Sequence, residues 1–477
     1  MIAIQDEQLD LSLPFDDREI GPAQEQFLAN LQANILKGHG RDHVALLFLE
    51  IVDIDKARDF VRNFQVSDAL TQLRQTQAFK QTGQSGDDVQ LLFLSQAGLN
   101  KFGRGSDFED VGADLFSAGM KNDIEVLDNG STQSWQPEFK RSTTDLLLLF
   151  AATELDDLAR ATGNLSADQE FNKAFEIILV QEGLAYHNKN NHGVEHFGYV
   201  DGRSQPLMLK SAIEAEANSG GIDQYDPSAP LNQFLVQDPL SDQGFGSYFV
   251  FRKLEQDVAG FKRAEEELSS FLGARPDQEV ESEQAGAMVV GRFENGFPVT
   301  SLIEENGDKQ IGDGVEVANN FNFDQDQQGS KCPFHAHIRK TNPRSSGFDK
   351  SVQMARRGIT YGMRLQHPET KEFIDKPNDG VGLLFMSYQA SIEDQFHFMQ
   401  TSWANNEAFP DDQTGLDPVI GELGVDGHPI EQSWPLLGNQ PDQQGRKKKL
   451  FAGFVSLKGG EYFFAPSIAG IRSLGVI

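Results

Sequence analysis

Four apolar runs in the first part of the chain constrain its fold more than any other feature. Each is short and rich in Leu, Ile, Val and Phe, which is typical of buried β-strands. They are residues 44–52, 89–94, 145–152 and 175–181. More polar, helix-compatible stretches lie between them, at 55–65 and 154–165. This order predicts α+β layers, in which helices pack on one face of antiparallel sheets.

The second half repeats this pattern more loosely. Strands are predicted at 247–254 and 287–293, and a strand at 382–391 leads into a helix at 392–405. The end of the chain, 454–466, predicts a final pair of strands joined by a Gly-Gly turn.

Three segments rich in Gly, Asp, Asn, Gln and Pro predict loops or insertions. They are residues 104–140, 214–245 and 405–449. A domain boundary is expected within 210–245. The basic run 446–449 is interpreted as a solvated local counter-charge in an acidic protein, not as a binding patch.

Charge and composition exclude several classes of partner. The 477 residues include 72 Asp and Glu against 41 Lys and Arg, a formal charge of −31. Such a chain should repel nucleic acid and anionic membranes. No apolar run is long enough to span a bilayer, and the acidic start carries no secretion signal, so we expect a cytoplasmic protein. Cys332 is the single cysteine, which excludes an internal disulfide and a multi-cysteine metal site.

The segment 197–206, FGYVDGRSQP, holds Asp201 between glycines. An Asp-Gly pair is a common turn signal, so a simple turn is one interpretation. Glycines also permit close approach, because they carry no β-carbon. A carboxylate held there beside an open coordination site could take a proton from hydrogen peroxide and return it to the leaving oxygen.

Two histidines, His335 and His337, lie in the segment 331–344, KCPFHAHIRKTNPR. On a strand both rings would point to one side, which suits a non-haem metal. On a helix the rings diverge, and one alone could face a cofactor such as haem. A haem-ligating ring should donate its other nitrogen to a carboxylate or carbonyl.

Two further features have both a structural and a chemical interpretation. The pair Arg356-Arg357 could lie on a solvated surface, or it could bind a peroxide-derived oxygen or a haem propionate. Leu383 and Phe385 are two residues apart on a predicted strand and so share a face. That face could belong to the core or form the apolar ceiling of a small-molecule pocket.

Several stretches together resemble the dye-decolourising peroxidase family, in particular its longer, insertion-bearing members. GYVDG fits the family's Gly-X-X-Asp-Gly signature, and CPFHAHIRKTNPR and ARRGITYG resemble its histidine and arginine segments. LQANILKG, GLLFMSYQASI and GGEYFFAPSI extend the likeness over nearly the whole chain. The resemblance implies two ferredoxin-like domains, 1–215 and 216–477, with haem b held mostly by the second. It also implies a peroxidase that uses hydrogen peroxide and oxidises dyes, phenolics or other small one-electron donors.

The resemblance assigns the main roles by position. It makes Asp201 the distal acid–base, His337 the axial iron ligand and Arg356 the distal cation, with Arg357 the weaker alternative. His337 is preferred to His335 because the family's His-Ile-Arg-Lys context follows it. A carboxylate beside an arginine stays ionised at acid pH, so turnover is expected to be best there.

The resemblance also suggests supporting residues. Arg344 falls near the haem propionates, Leu383 and Phe385 fall among the distal apolar residues, and Asp417 is a possible partner for the outer nitrogen of the axial histidine. Tyr361 and Trp403 lie where some members oxidise bulky substrates at the surface, although ordinary packing is an equal interpretation.

His335 departs from the family pattern, because a small residue is expected there. Three rival functions remain open. They are a non-haem metal oxidoreductase using His335 and His337, a haem carrier without catalysis, and a relative with another haem chemistry. The Asp201 signature argues against the last of these.

Overall fold

The computed structural model describes residues 9–111, 114–141, 144–273, 279–301, 319–412, 414–422, 430–436 and 445–475. The strands are β1 His43–Ile51, β2 Val89–Leu94, β3 Leu146–Ala152, β4 Phe175–Leu184, β5 Tyr186–His187, β6 Gly193–Val194, β7 Val236–Gln237, β8 Phe245–Gln256, β9 Ala355–Arg356, β10 Ile359–Tyr361, β11 Gly382–Gln389, β12 Gln432–Pro435, β13 Arg446–Lys449 and β14 Val455–Ala465.

The helices are α1 Pro22–Asn30, α2 Ile54–Asn63, α3 Ala69–Thr82, α4 Gln96–Phe102, α5 Asp114–Ala118, α6 Pro137–Arg141, α7 Leu155–Ala167, α8 Gln169–Ala174, α9 Lys210–Ser219, α10 Val258–Leu272, α11 Glu279–Val290, α12 His337–Thr341, α13 Gly347–Ser351 and α14 Ile468–Leu474. Two π-helical turns, Ile392–His397 and Met399–Ala404, follow β11.

The first half forms a four-stranded antiparallel sheet in the order β2-β3-β1-β4. Helices α2 and α3 connect β1 to β2, and α7 and α8 connect β3 to β4. This is the βαββαβ order of a ferredoxin-like domain. Every residue of β3 is buried, which explains why its sequence is a continuous apolar run and not an alternating one.

The second half supplies strands β10, β11, β8 and β14, again antiparallel. The pair Phe464 and Leu94 joins β14 to β2, so one ten-stranded sheet runs through both halves. Stacked rings also cross this junction: the centroids of Phe93 and Phe249 are 4.2 Å apart. Buried aromatic side chains of this kind contribute roughly 1.5–3 kcal/mol each to the free energy of unfolding.

The two outer strands of the sheet, β4 and β10, come close to each other. The Thr360 hydroxyl donates a hydrogen bond to the carbonyl of Leu184. A β-carbon on Gly183 would meet Ile359 Cγ2 at 2.7 Å, so this approach requires glycine. The sheet therefore curls back on itself in the manner of a barrel.

The structure confirms the predicted fold class and most strands, and it corrects two elements. The apolar run 287–293 was predicted to be a strand, but its first four residues end helix α11, whose residues Ala285, Met288 and Val289 pack in a core with α10. A short apolar run does not distinguish a buried helix from a strand. The end of the chain is one strand, β14, and not a pair. Gly459 lies within it at a bulge, where it makes room for the Phe139 ring.

Parts of the predicted insertions form regular secondary structure. Residues 104–140 contain short helices and 3₁₀ turns, and the ends of the other two insertions contribute α9, β7, β12 and β13. The basic run is β13, whose side chains are mostly exposed, as predicted. The division of the chain near residue 215 stays a prediction. Among the described residues, no helix combines the length and apolar character needed to cross a bilayer.

Candidate active site

A cavity of about 290 Å³ lies between the two halves of the chain. Its lining includes the loop that follows β6, the strands β8, β9 and β11, the end of helix α11, and helix α12 with the π-helical turns. All the residues predicted to face a cofactor border this cavity except Asp417, which lies directly behind one of them.

The loop of residues 195–202, hereafter the Asp201 loop, forms one wall. Gly198 and Gly202 have φ values of +101° and +75°, a region that favours glycine. The backbone N–H of Asp201 donates to the carbonyl of Gly193 at 3.0 Å. The Asp201 side chain is exposed to the cavity, and it makes no hydrogen bond or ion pair with another residue in the described ranges. It is therefore available to a ligand.

Glu195 begins the same loop, and the sequence analysis did not identify it. Its carboxylate accepts the backbone N–H of Phe197 at 2.8 Å and of Tyr199 at 3.0 Å. The side-chain amide of Gln256 lies 2.6 Å from it. Burial raises the pKa of Glu195 to about 7, and the charge of Asp201 adds to the rise. Glu195 thus braces the loop from inside the cavity wall.

Helix α12 forms another part of the cavity wall and begins at His337. Two buried cations fix this short helix: Arg339 pairs with Asp326 at 3.0 Å, and Lys340 donates to the carbonyls of Asn406 and Gly415. The His337 ring is 29% exposed, and it lines the cavity.

Asp417 holds the His337 ring from behind. The His337 Nδ1 and an Asp417 carboxylate oxygen are 2.9 Å apart, and Asp417 is fully buried. Burial would lower the pKa of His337, but the Asp417 carboxylate outweighs it and raises that pKa. Burial likewise opposes the charge on Asp417, yet His337 and two backbone N–H groups lower its pKa. With Nδ1 engaged, Nε2 is the nitrogen left to bind a metal or cofactor.

His335 does not share this position. Its ring is buried edge-on against Trp434, with centroids 4.2 Å apart, and its Nε2 has no hydrogen-bond partner among the residues described. Burial lowers the pKa of His335 well below its ordinary value, so the ring is neutral. Of the two histidines, only His337 borders the cavity; His335 lies in the turn before α12, so neither the strand nor the helix alternative holds for both residues.

The two adjacent arginines have different surroundings. Arg356 lines the cavity and donates to the carbonyl of Arg203 at 2.8 Å. Arg357 donates to the carbonyls of Asn34, Ile35 and Arg356, and it does not border the cavity. The charges of Arg356 and Asp201 both act on the His337 ring, so the three groups face one space.

A group of arginines, hereafter the cation cluster, borders the cavity. It consists of Arg203, Arg292 and Arg344. Burial lowers the pKa of Arg292 to about 9, with Arg344 and Arg203 adding to the effect, and burial lowers that of Arg344 to about 10. Arg344 and Ser204 both have positive φ, 58° and 63°, and they are hydrogen-bonded at 2.8 Å. Strained residues beside converging cations are typical of an anion-binding site.

Apolar side chains cover the rest of the cavity. Leu383 and Phe385 both border it, while Leu384 between them is buried in the core, so the predicted shared face is confirmed. Tyr361 and Trp403 are 5% and 3% exposed. The Trp403 ring stacks on Phe409 at 5.3 Å. Packing is therefore the interpretation that fits both residues.

The non-haem alternative lacks support in the described part of the chain. The group of metal-ligand side chains that come together there is Asp123, Glu125 and His397, with neither predicted histidine. Sequence reasoning missed Glu195, Arg292 and Arg252, which all border the cavity. Glu195 could have been noticed, because it stands directly before the FGYVDG segment; the other two carry no local signal.

Comparison with known proteins agrees with this geometry. Residues 30–183 match the model of the DyP dimeric alpha+beta barrel domain, and residues 219–414 match that of the Dyp-type peroxidase C-terminal domain. Multifunctional dye peroxidase DyP2 from Amycolatopsis is 40% identical over 94% of this chain and 96% of the relative. Dye-decolorizing peroxidase msp1 from Mycetinis scorodonius is 28% identical over 94% and 87%.

Solved structures give the same result. A DyP-type peroxidase from Anabaena superposes with a TM-score of 0.85 at 34% identity, over 98% of this chain and 99% of that one. The structure of DyP2 from Amycolatopsis gives 0.85 at 37% identity, over 98% and 100%. The fold is thus that of the dye-decolourising peroxidases, which are haem-dependent enzymes. The chain belongs to the dye-decolourising peroxidase family.

Proposed function

We propose that this enzyme is a haem b peroxidase in which His337 is the axial iron ligand, Asp201 the acid–base and Arg356 the distal cation. The observation that carries the proposal is that His337, Asp201 and Arg356 all border one cavity.

The residues present fit a haem. His337 presents a ring nitrogen while Asp417 engages the other, which is the arrangement expected of an axial ligand. The cation cluster offers guanidinium groups to the propionates, and Arg344 is the member predicted from the sequence. Leu383 and Phe385 offer apolar cover. Covalent attachment of the c type requires a Cys-X-X-Cys-His motif, and the single cysteine rules that motif out.

Two side chains of the chain itself handle the peroxide. When bound, the haem supplies the redox chemistry. Asp201, exposed to the cavity, accepts a proton from the inner peroxide oxygen and returns it to the outer oxygen, which leaves as water. Arg356 stabilises the negative charge that develops on the peroxide as the O–O bond breaks. Asp417 raises the basicity of the His337 ring from behind.

Dyes, phenolics and other small one-electron donors are the proposed reducing substrates. The printed names of the relatives support dyes, because they are called dye and dye-decolorizing peroxidases. A cytoplasmic location stays a prediction.

An absorption spectrum of the purified holoprotein, recorded before and after one equivalent of hydrogen peroxide, tests the proposal. We expect a Soret band that changes within the mixing time of the experiment. The His337→Ala variant should lose the axial-histidine spectrum, whereas the His335→Ala variant should keep it. A Soret band that does not respond to peroxide would instead indicate the haem carrier, and no Soret band at all would exclude haem.

A further inference from the structure

Glu195 is the half-buried carboxyl group of the cavity that the proposed peroxide chemistry does not use. It stands six residues before Asp201 in the same loop and borders the same cavity. Glu195 can therefore affect both the conformation of the Asp201 loop and the charge of the cavity.

Glu195 closes the Asp201 loop with hydrogen bonds from both its backbone and its side chain. The Glu195 N–H donates to the Tyr199 carbonyl at 3.0 Å, and the Gly198 N–H donates to the Glu195 carbonyl at 2.9 Å. The carboxylate then accepts the N–H groups of Phe197 and Tyr199. The Glu195 side chain therefore satisfies two amides of the segment leading to Asp201, and its loss would leave both without that partner.

The partners of the Glu195 carboxyl group are neutral. Two are backbone amides and the third is the side chain of Gln256, and no ion pair to Glu195 occurs among the described residues. The charged or titratable groups near the Asp201 loop include Asp201, Tyr199, Arg252 of β8, Lys262 and Glu265 of α10, and Glu294. Tyr199 is occupied by a hydrogen bond to Glu265, and Arg252 by Glu422.

Gln256 is suited to either protonation state of Glu195. The Gln256 amide lies 2.6 Å from the carboxyl group, and its own oxygen is buried without a hydrogen-bond partner among the described residues. If the amide turns over, that oxygen can accept the O–H of a protonated Glu195. The pair can thus hold a proton as well as release it.

We propose that Glu195 is a positioning residue for Asp201: it fixes the loop that carries Asp201, and its ionisation sets the upper pH limit of the peroxide reaction. This inference rests on the proposed function of Asp201. The reaction places negative charge on peroxide between Asp201 and Arg356, and a second carboxylate in the same wall opposes that charge. Because burial raises the pKa of Glu195 to about 7, the second charge appears above that pH.

The test is the second-order rate constant for hydrogen peroxide, measured by stopped-flow absorbance on holoprotein from pH 4 to pH 9. In the unsubstituted protein we expect the rate constant to fall about tenfold through an apparent pKa near 7, the effect of one unit charge in the wall. In Glu195→Gln, which mimics the neutral group but loses one acceptor, the rate constant should be several-fold lower at pH 5 and should not fall above pH 7. Glu195→Asp restores the ionisable group and should restore the fall.

Glu461→Gln is the matched control. Glu461 is also buried and also accepts two backbone N–H groups, from Met120 at 3.0 Å and Tyr462 at 2.9 Å, but it does not border the cavity. Its pH profile should superimpose on that of the unsubstituted protein. The inference is overturned if Glu195→Gln keeps the fall near pH 7, or if Glu461→Gln abolishes it equally. A holoprotein that does not react with peroxide at any pH overturns the proposed function itself.

Discussion

The two walls of the cavity hold their central side chains by different means. On the helix wall, an ionised and fully buried carboxylate, Asp417, holds His337 at 2.9 Å. On the loop wall, neutral amides hold Glu195, and Asp201 itself faces the cavity. A charged pair keeps its state over a wide pH range, whereas a carboxyl group bound by neutral partners can change its charge near neutrality. The comparison indicates that an ionised carboxylate holds His337, whereas the charge of the loop wall changes at Glu195.

The largest expected effect is on the loop wall, at Asp201. Replacing Asp201 with Asn keeps the size of the side chain but removes the proton acceptor. The rate constant for peroxide should fall by about 10²–10⁴, the usual contribution of a general acid–base. Stopped-flow measurements on haem-matched samples check this. The exposed Asp226→Asn is the control, and a loss below tenfold in Asp201→Asn would contradict the assigned role.

The second-largest expected effect distinguishes Arg356 from its neighbour Arg357. Arg356→Leu removes the cation that faces the cavity, and the peroxide reaction should slow by about 10²–10³ while haem content stays near that of the unsubstituted protein. Arg357→Lys keeps the positive charge but cannot make all the hydrogen bonds that the Arg357 guanidinium donates to backbone carbonyls. It should therefore lower the melting temperature more than it lowers the rate constant for peroxide. The reverse pattern would transfer the role to Arg357.

For substitutions on the helix wall, we expect haem affinity to fall more than the rate constant for peroxide of the protein that still holds haem. Asp417→Asn removes the charge behind His337, and such changes cost about 10–100-fold in affinity at metal sites. Transfer of haem to apomyoglobin measures the retention. Asp123→Asn, which removes a carboxylate 3.3 Å from His397 away from the cavity, is the matched control and should release haem at the rate of the unsubstituted protein.

The smallest effect concerns stability. Because the pKa of Glu195 is raised from 4.5 to about 7 in the folded protein, the folded state holds a proton that the unfolded state has released between those values. The contribution of Glu195 to the free energy of unfolding therefore falls as pH rises from about 4.5 to about 7. The melting temperature lost in Glu195→Gln should be larger at pH 5 than at pH 8. An equal loss at both values would contradict the raised pKa. The exposed Glu214→Gln is the control.

The sequence predicted the parts of this molecule that depend on local pattern. The strands of the first half were found because both faces of β1 and β3 are buried, which produces unbroken apolar runs. The motifs around Asp201 and His337 were found because their residues are close in sequence. The run 287–293 was assigned wrongly, because its apolar residues serve a helix packed on α10.

What the sequence could not predict depends on contacts between distant residues. Arg292 joins the cation cluster through Ser204, 88 positions away. The closure of β4 on β10 depends on Thr360 meeting Leu184 across 176 positions. Asp417 was foreseen from family likeness, and the structure places it against His337 across 80 positions. The contacts by which Glu195 braces the loop depend on the folded geometry of residues 195–202, which the sequence alone does not show.

The most direct test of the account is chemical rescue at residue 337. His337→Gly holoprotein, titrated with free imidazole, should regain the Soret band of the unsubstituted protein together with its rapid reaction with hydrogen peroxide, because Asp201 and Arg356 still border the same cavity. His335→Gly should need no imidazole. If His337→Gly shows the original spectrum and peroxide rate without imidazole, iron is bound elsewhere and the account is wrong.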